Sequence, residues 1–164
     1  MSPEYSPKGE RRRQILEQAL SVLRNMAENE ESEASKLLKS SADYDGPMQS
    51  KQPDEMVRLE FRVHIHDYLH ATYSKNIMEI RDILDSVQSG NQRIEQGSVF
   101  VWDLNDSEDG VEGETVIITE SGGGEFPGFR LLAADAPLTK AITGKKEGET
   151  VKFGEISVKI REII

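Results

Sequence analysis

The sequence predicts an α+β protein: a long antiparallel helical hairpin, built as a coiled coil, followed by a small antiparallel β domain with one short helix. Three observations lead there. From Leu59, alternating steps of four and three land on Val63, His66, His70, Tyr73, Ile77, Ile80, Leu84 and Val87, an unbroken seam along one side of a helix. A second seam, Ile15, Ala19, Val22 and Met26, precedes it across the turn-forming pair Gly46-Pro47. After Gly90 the helical period gives way to alternation. A stripe this narrow asks for another helix rather than a sheet, and the short connection makes the preceding helix its partner.

Residues 1–9 are polar, with Pro3, Pro7 and Gly9, and are expected to form a flexible N-terminus before a helix that begins near Glu10. In that helix Leu16, Leu20 and Leu23 widen the stripe. Further steps of four, three and four give Glu30, Glu33 and Leu37, so the seam turns acidic for two positions. Arg11, Arg12 and Arg13 stand where the helix macrodipole disfavours cations, and read as a solvated face or as partner contacts. Residues 10–92 thus make the hairpin, with its tip near 40–53. Pro53-Asp54-Glu55 suits the first turn of the second helix. Two helices of roughly 30 residues would each be about 45 Å long.

Residues 95–164 read as the β domain. Strands are expected at Ser98–Leu104, Glu114–Glu120, Gly128–Ala134, Thr150–Phe153 and Ile156–Ile164. Pro137 opens a short helix that Gly144 stops, and Gly122 to Gly124 read as a flexible turn. Trp102 and Phe129, on strands, are core candidates.

Composition bounds what this architecture can do. The 164 residues carry a net charge of −10, with 36% hydrophobic and 30% charged residues, a lean core suited to a coiled coil plus a modest domain. The absence of cysteine excludes disulfides and thiolate chemistry. The start, Met-Ser-Pro-Glu-Tyr-Ser-Pro, lacks the apolar core of a signal peptide, and no apolar run reaches membrane-spanning length. The expectation is a cytoplasmic protein without a membrane partner, and an intrachain hairpin implies a monomer. Residues 95–164 carry 7 cations against 14 acids, a poor phosphate-binding surface, so any nucleic-acid contact falls on the first half, where 13 face 16.

Several constellations resemble sites. His66 and His70 lie one helical turn apart, a spacing that metals accept, but two ligands are too few. As polar seam positions they can instead set register, and if buried they could loosen the hairpin on protonation. Asp103, Asn105, Ser107, Asp109 and Glu114 imitate a calcium loop, yet Glu108 stands where a glycine is required and strands flank it. It reads as an acidic hairpin loop. All three histidines sit on one helix, which excludes a Ser-His-Asp arrangement.

The stretch Asp135-Ala-Pro-Leu-Thr-Lys-Ala-Ile-Thr-Gly-Lys-Lys-Glu-Gly-Glu-Thr-Val151 resembles the C-terminal signature of the Gre family of bacterial transcription elongation factors. That signature has a proline-started helix, then Gly-Lys, then a glycine and an acid before a closing strand. Here these are Pro137 to Ile142, Gly144-Lys145 and Gly148-Glu149, and the similarity covers residues 95–164. Ser41-Ala-Asp-Tyr-Asp45 resembles the Asn-Ala-acid-Tyr run at the family's hairpin tip.

The resemblance implies an FKBP-like β domain that binds bacterial RNA polymerase beside its secondary channel, with Pro137, Leu138, Gly144 and Lys145 as partner-binding residues. It implies a coiled coil that enters the channel, where contact with nascent RNA becomes possible. In the cleavage factors of the family, tip acids share a magnesium ion with the polymerase and assist its intrinsic transcript cleavage. The protein is then no enzyme by itself and has no cofactor of its own. The places of those acids hold Leu37 and Ser40, neither of which ligates a hard cation as a carboxylate does. Asp43 and Asp45 are the remaining tip candidates for catalysis and for the shared magnesium. Two other readings stand beside this one: an FKBP-like peptidyl-prolyl isomerase using Phe100, Trp102, Phe126, Phe129 and Phe153, and a coiled-coil interaction module.

Overall fold

The computed structural model describes residues 6–42, 53–86, 92–106 and 108–164. Helix α1 spans Pro7–Ala42 and α2 spans Pro53–Asp85. At 1.5 Å per residue these are rods of about 54 and 50 Å. The expected start near Glu10 is three residues late. Pro7 takes the first helical position, where its missing N–H costs nothing, and the Ser6 hydroxyl caps the end by accepting from Gly9 N at 3.0 Å. Residues 7–9 therefore belong to the helix and not to a flexible terminus.

Six strands follow: β1 Val99–Asn105, β2 Gly110–Thr119, β3 Gly124–Phe126, β4 Phe129–Ala133, β5 Thr150–Phe153 and β6 Ile156–Ile163, with helix α3 Pro137–Ile142 between β4 and β5. They form one sheet in the order β3-β4-β2-β1-β6-β5. The pairs are antiparallel except β2 with β4, which run parallel from Val116↔Arg130 to Thr119↔Ala133. The sheet is thus mostly antiparallel, as expected, with one parallel pair that β3 produces. Three residues led by glycines carry no readable period, yet β3 hairpins with β4 through Pro127-Gly128 and so turns β4 into the direction of β2.

The chain divides into two compact units, Met1–Leu20 with Met78–Ile164, and Ser21–Ile77. The roots of both helices therefore group with the sheet.

In the first unit, β1 is buried on both sides because it pairs with β2 and β6 at the sheet's middle. One face carries Phe100, Trp102, Val116, Ile118, Val158 and Ile160, against which Ile142 and Leu138 of α3 pack. Phe100 and Trp102 meet edge to face at 5.9 Å, which places Trp102 in the core as expected. Phe129 is buried as well. Val99, Val101, Ile117 and Leu131 are buried by alternation on the other face, and the unit's helical residues add Leu16, Ala19, Leu20 and Ile80.

In the second unit, α2 half-buries the expected seam from Leu59 and Val63 through His66, His70, Tyr73 and Ile77, while its last expected position, Val87, lies outside the described residues. The seam of α1 is rotated by one residue from the expectation. It runs Leu23, Ala27, Glu30, Ala34 and Leu37, while Glu33 faces solvent. Up to Met26 the two possible stripes share apolar residues. Beyond it the buried positions of α1 pass to Ala27 and Ala34. No helix among the described residues is long and apolar enough to cross a membrane.

Candidate functional site

The first unit contains the surface that the signature residues build. Pro137 occupies the first turn of α3 and is exposed, while Leu138 beside it is half-buried against the core. Gly144 ends the helix at φ +81°, a left-handed conformation that a side chain would strain. Its N–H donates to the Ile94 carbonyl at 2.7 Å, and its own carbonyl accepts from Arg93 Nη1 at 2.9 Å. Lys145 returns the grip, its carbonyl accepting from Ile94 N at 2.8 Å. Gly148, at φ +86°, donates to Ile160 O at 2.7 Å, and the Glu149 carboxylate caps Lys146 N at 2.5 Å. The Gly-Lys and Gly-Glu pairs thus fix backbone: they clasp the chain's entry at Ile94 and start β5. Pro137, Lys140 and Lys146 remain exposed.

Four contacts bolt the helix roots to the sheet within this unit, and none was legible in the sequence. Lys8 Nζ donates to Ile163 O at 3.1 Å and pairs with Glu147 at 3.4 Å, and Arg11 Nη1 pairs with Glu162 at 2.7 Å. Arg12 Nη2 reaches the Ile83 carbonyl at 3.2 Å and the Gly97 carbonyl at 3.4 Å. It joins α1 to the last turn of α2, where free carbonyls favour a cation, and to the turn before β1. Burial holds its guanidinium below its ordinary pKa, and Nε is buried without a partner. Arg13 pairs with Glu17 at 2.9 Å on the helix surface. Arg11 and Arg13 thus lie on the exposed face with ion-pair partners, and Arg12 is the structural contact of the triplet.

The fourth bolt is Glu79 of α2. Its carboxylate accepts from Ser121 Oγ at 2.6 Å, Gly122 N at 3.1 Å and Ser121 N at 3.3 Å. Burial alone would raise its pKa, but the Ser121 hydroxyl and the two backbone N–H groups outweigh it and hold the group below the usual carboxylate value. Gly122 to Gly124, expected as a flexible turn, are thus the docking point for Glu79 and the start of β3. Beside them lies a cavity of about 270 Å³ lined by Glu79, Asp82, Ile83, Ser86, Gln96, Gly97 and Glu120.

The apparent calcium loop resolves into ion pairs. Asp103 accepts from Arg161 Nε at 2.6 Å and from Gly113 N at 2.8 Å, at the bulge where the β1–β2 register shifts. Burial opposes its charge, yet Arg161 and Gly113 hold its pKa below the ordinary value. Glu114 accepts from Trp102 Nε1 at 2.8 Å and from Arg130 Nε at 3.0 Å, and Arg130 also pairs with Glu125. These acids face cations of their own chain.

In the second unit the two polar stretches of the seams meet. Glu30 of α1 pairs with His66 Nδ1 of α2. Tyr73 lies close by, its hydroxyl held above its ordinary pKa by burial and then by the Glu30 charge. The expected polar seam position His66 is thus met by an acid of the facing helix. No group of three histidines or acids among the described residues stands close enough to hold a metal.

Asp43 and Asp45 lie outside the described residues. Leu37 and Ser40 are on the last turns of α1, where Ser40 Oγ donates to the Leu37 carbonyl at 2.8 Å. One apolar side chain and one engaged hydroxyl do not fit a magnesium ion.

No protein-family profile matches the chain, and no curated protein does. Among solved structures, the transcription factor Gfh1 is similar at 20% identity over 92% of each chain, with a TM-score of 0.35. GreA factor homolog 1 (Gfh1) of Thermus thermophilus is 19% identical over 91% of this chain and 94% of its own, TM-score 0.33. Thermus aquaticus Gfh1 is 18% identical over 90% and 92%, TM-score 0.31.

Proposed function

We propose that this chain binds bacterial RNA polymerase through its FKBP-like β domain and inserts its helical hairpin into the secondary channel, regulating transcription elongation by occupancy. The observation that carries the reading is the signature surface of Pro137, Leu138, Gly144 and Lys145, set on a sheet to which the roots of both helices are bolted. A partner that holds this surface thereby holds the base of the rod. The channel role belongs to the hairpin, and Leu37 and Ser40 leave it without the acids expected for cleavage.

Co-purification with core polymerase tests the binding, and absence of association at low salt removes the reading. A transcript-cleavage assay on stalled complexes separates occupancy from catalysis, with no acceleration expected. Acceleration that disappears on D43A together with D45A would establish the cleaving version, with magnesium shared through those acids. The isomerase alternative is disfavoured because Phe100 and Trp102 are fully buried against each other and Phe126 stacks on Phe129 at 5.1 Å. Phe100, Trp102 and Phe129 are buried and cannot line a proline pocket, which leaves the half-buried Phe126 and the exposed Phe153.

A further inference from the structure

Helix α2 carries a second apolar stripe. Val57, Phe61, Ile65 and Tyr68 recur at helical spacing and lie opposite the packed seam of Val63, His66 and His70. Their exposures are 64%, 64%, 41% and 71%, so the stripe faces solvent along its whole length. Large side chains held in water at regular spacing are costly, and a contiguous patch of them marks a contact surface rather than chance. The charges beside it complete the anatomy of an interface: Arg58 and Arg62 flank one side, Glu60 and Asp67 the other, giving an apolar centre within a charged rim.

The size of the stripe decides what can cover it. Four side chains at these exposures offer roughly 400 Å², about half of the ~800 Å² per partner that a stable complex buries. A second copy of this chain docked stripe to stripe would therefore be underbuilt. The patch suits a partner that also holds the chain elsewhere. Nucleic acid is a poorer match, because residues 54–77 carry three cations against four acids.

We infer that the Val57–Tyr68 stripe is a second polymerase contact, seated on an apolar strip of the channel wall that carries charges of both signs at its edges. The inference rests on the proposed polymerase binding and deepens it: the β domain holds the partner, and the stripe fixes the rotation of the rod about its own axis inside the channel. Because Phe61 and Tyr68 project away from the hairpin seam, they can be changed without touching its packing.

The test is the affinity of the full chain for core polymerase, compared with a Phe61→Ser, Tyr68→Ser variant. Helical circular dichroism should be unchanged, and affinity should fall by at least about tenfold. In parallel, the photocrosslinker p-benzoylphenylalanine at position 61 should capture a polymerase subunit. If the wild-type chain fails to bind polymerase, both the functional reading and the stripe fall. If it binds and the double variant binds equally well, the stripe alone is wrong. Crosslinking to the transcript instead of a subunit, or a wild-type dimer that the variant abolishes, would likewise overturn it.

Discussion

Glu79 accepts three hydrogen bonds from the Ser121–Gly122 turn, and the carboxylate must be ionised to accept them all. Its pKa lies below the ordinary value, so the contribution is complete above the usual carboxylate range of about 4.3 and is lost as the pH falls beneath it. Asp103, held by Arg161 and Gly113, follows the same sign. The Glu79→Gln variant should lose about 1–2 kcal/mol at pH 7 and less at pH 3, read from urea midpoints by Trp102 emission. Equal losses at both pH values would contradict this account. Asn76 presents the opposite case. It is 1% exposed within the hairpin, and its Nδ2 has no partner. Asn76→Leu should raise stability by about 1 kcal/mol, seen as a higher melting temperature. A seam amide can also fix register and partner, so sedimentation of the variant should show whether it still pairs only within its own chain.

Among the elements, α3 and its exit show how a signature can be chiefly architectural. Gly144 at φ +81° has no atom within 4 Å of where a Cβ would stand, so the cost of a side chain there is backbone strain alone. Gly144→Ala should destabilise by about 1 kcal/mol, a shift small enough to keep the fold while testing whether polymerase association depends on the turn. The strands illustrate the limits of reading one element at a time. β1, β2, β4, β5 and β6 were each visible as runs of alternating or apolar residues near their observed positions. β3 was not, because Gly124-Glu-Phe126 is too short to show a period, and missing it cost the parallel pairing of β2 with β4.

At the scale of the whole molecule, the two units differ in what holds them. The sheet unit has Trp102, Phe100, Ile118, Ile142 and Ile160 fully buried around one core. The buried set of the hairpin unit among the described residues is Leu23, Ala27, Ala34 and Asn76, a slight interior. Local stability follows buried apolar area. In urea, ellipticity at 222 nm should therefore begin to fall before the emission of Trp102, the protein's single tryptophan, shifts. Coincident transitions would show that the two units unfold as one.

The sequence by itself determined the architecture of the described residues: heptad steps and a change of period are local properties, set by how an α-helix or strand repeats its faces. It also determined the α3 signature, since proline at a helix start and glycine at its end each act through their own backbone. Only the tertiary structure decided which residues close the molecule. Glu79 looked like one of many helix-surface acids until the Ser121 turn met it, and Arg12 like one of three solvated cations until Ile83 and Gly97 offered carbonyls. The burial of Ala27 and Ala34 along α1, too, exists only in the folded hairpin. Periodicity records which face of an element is apolar. It holds no record of the distant partner that meets a given side chain, because that pairing exists only once the chain has folded.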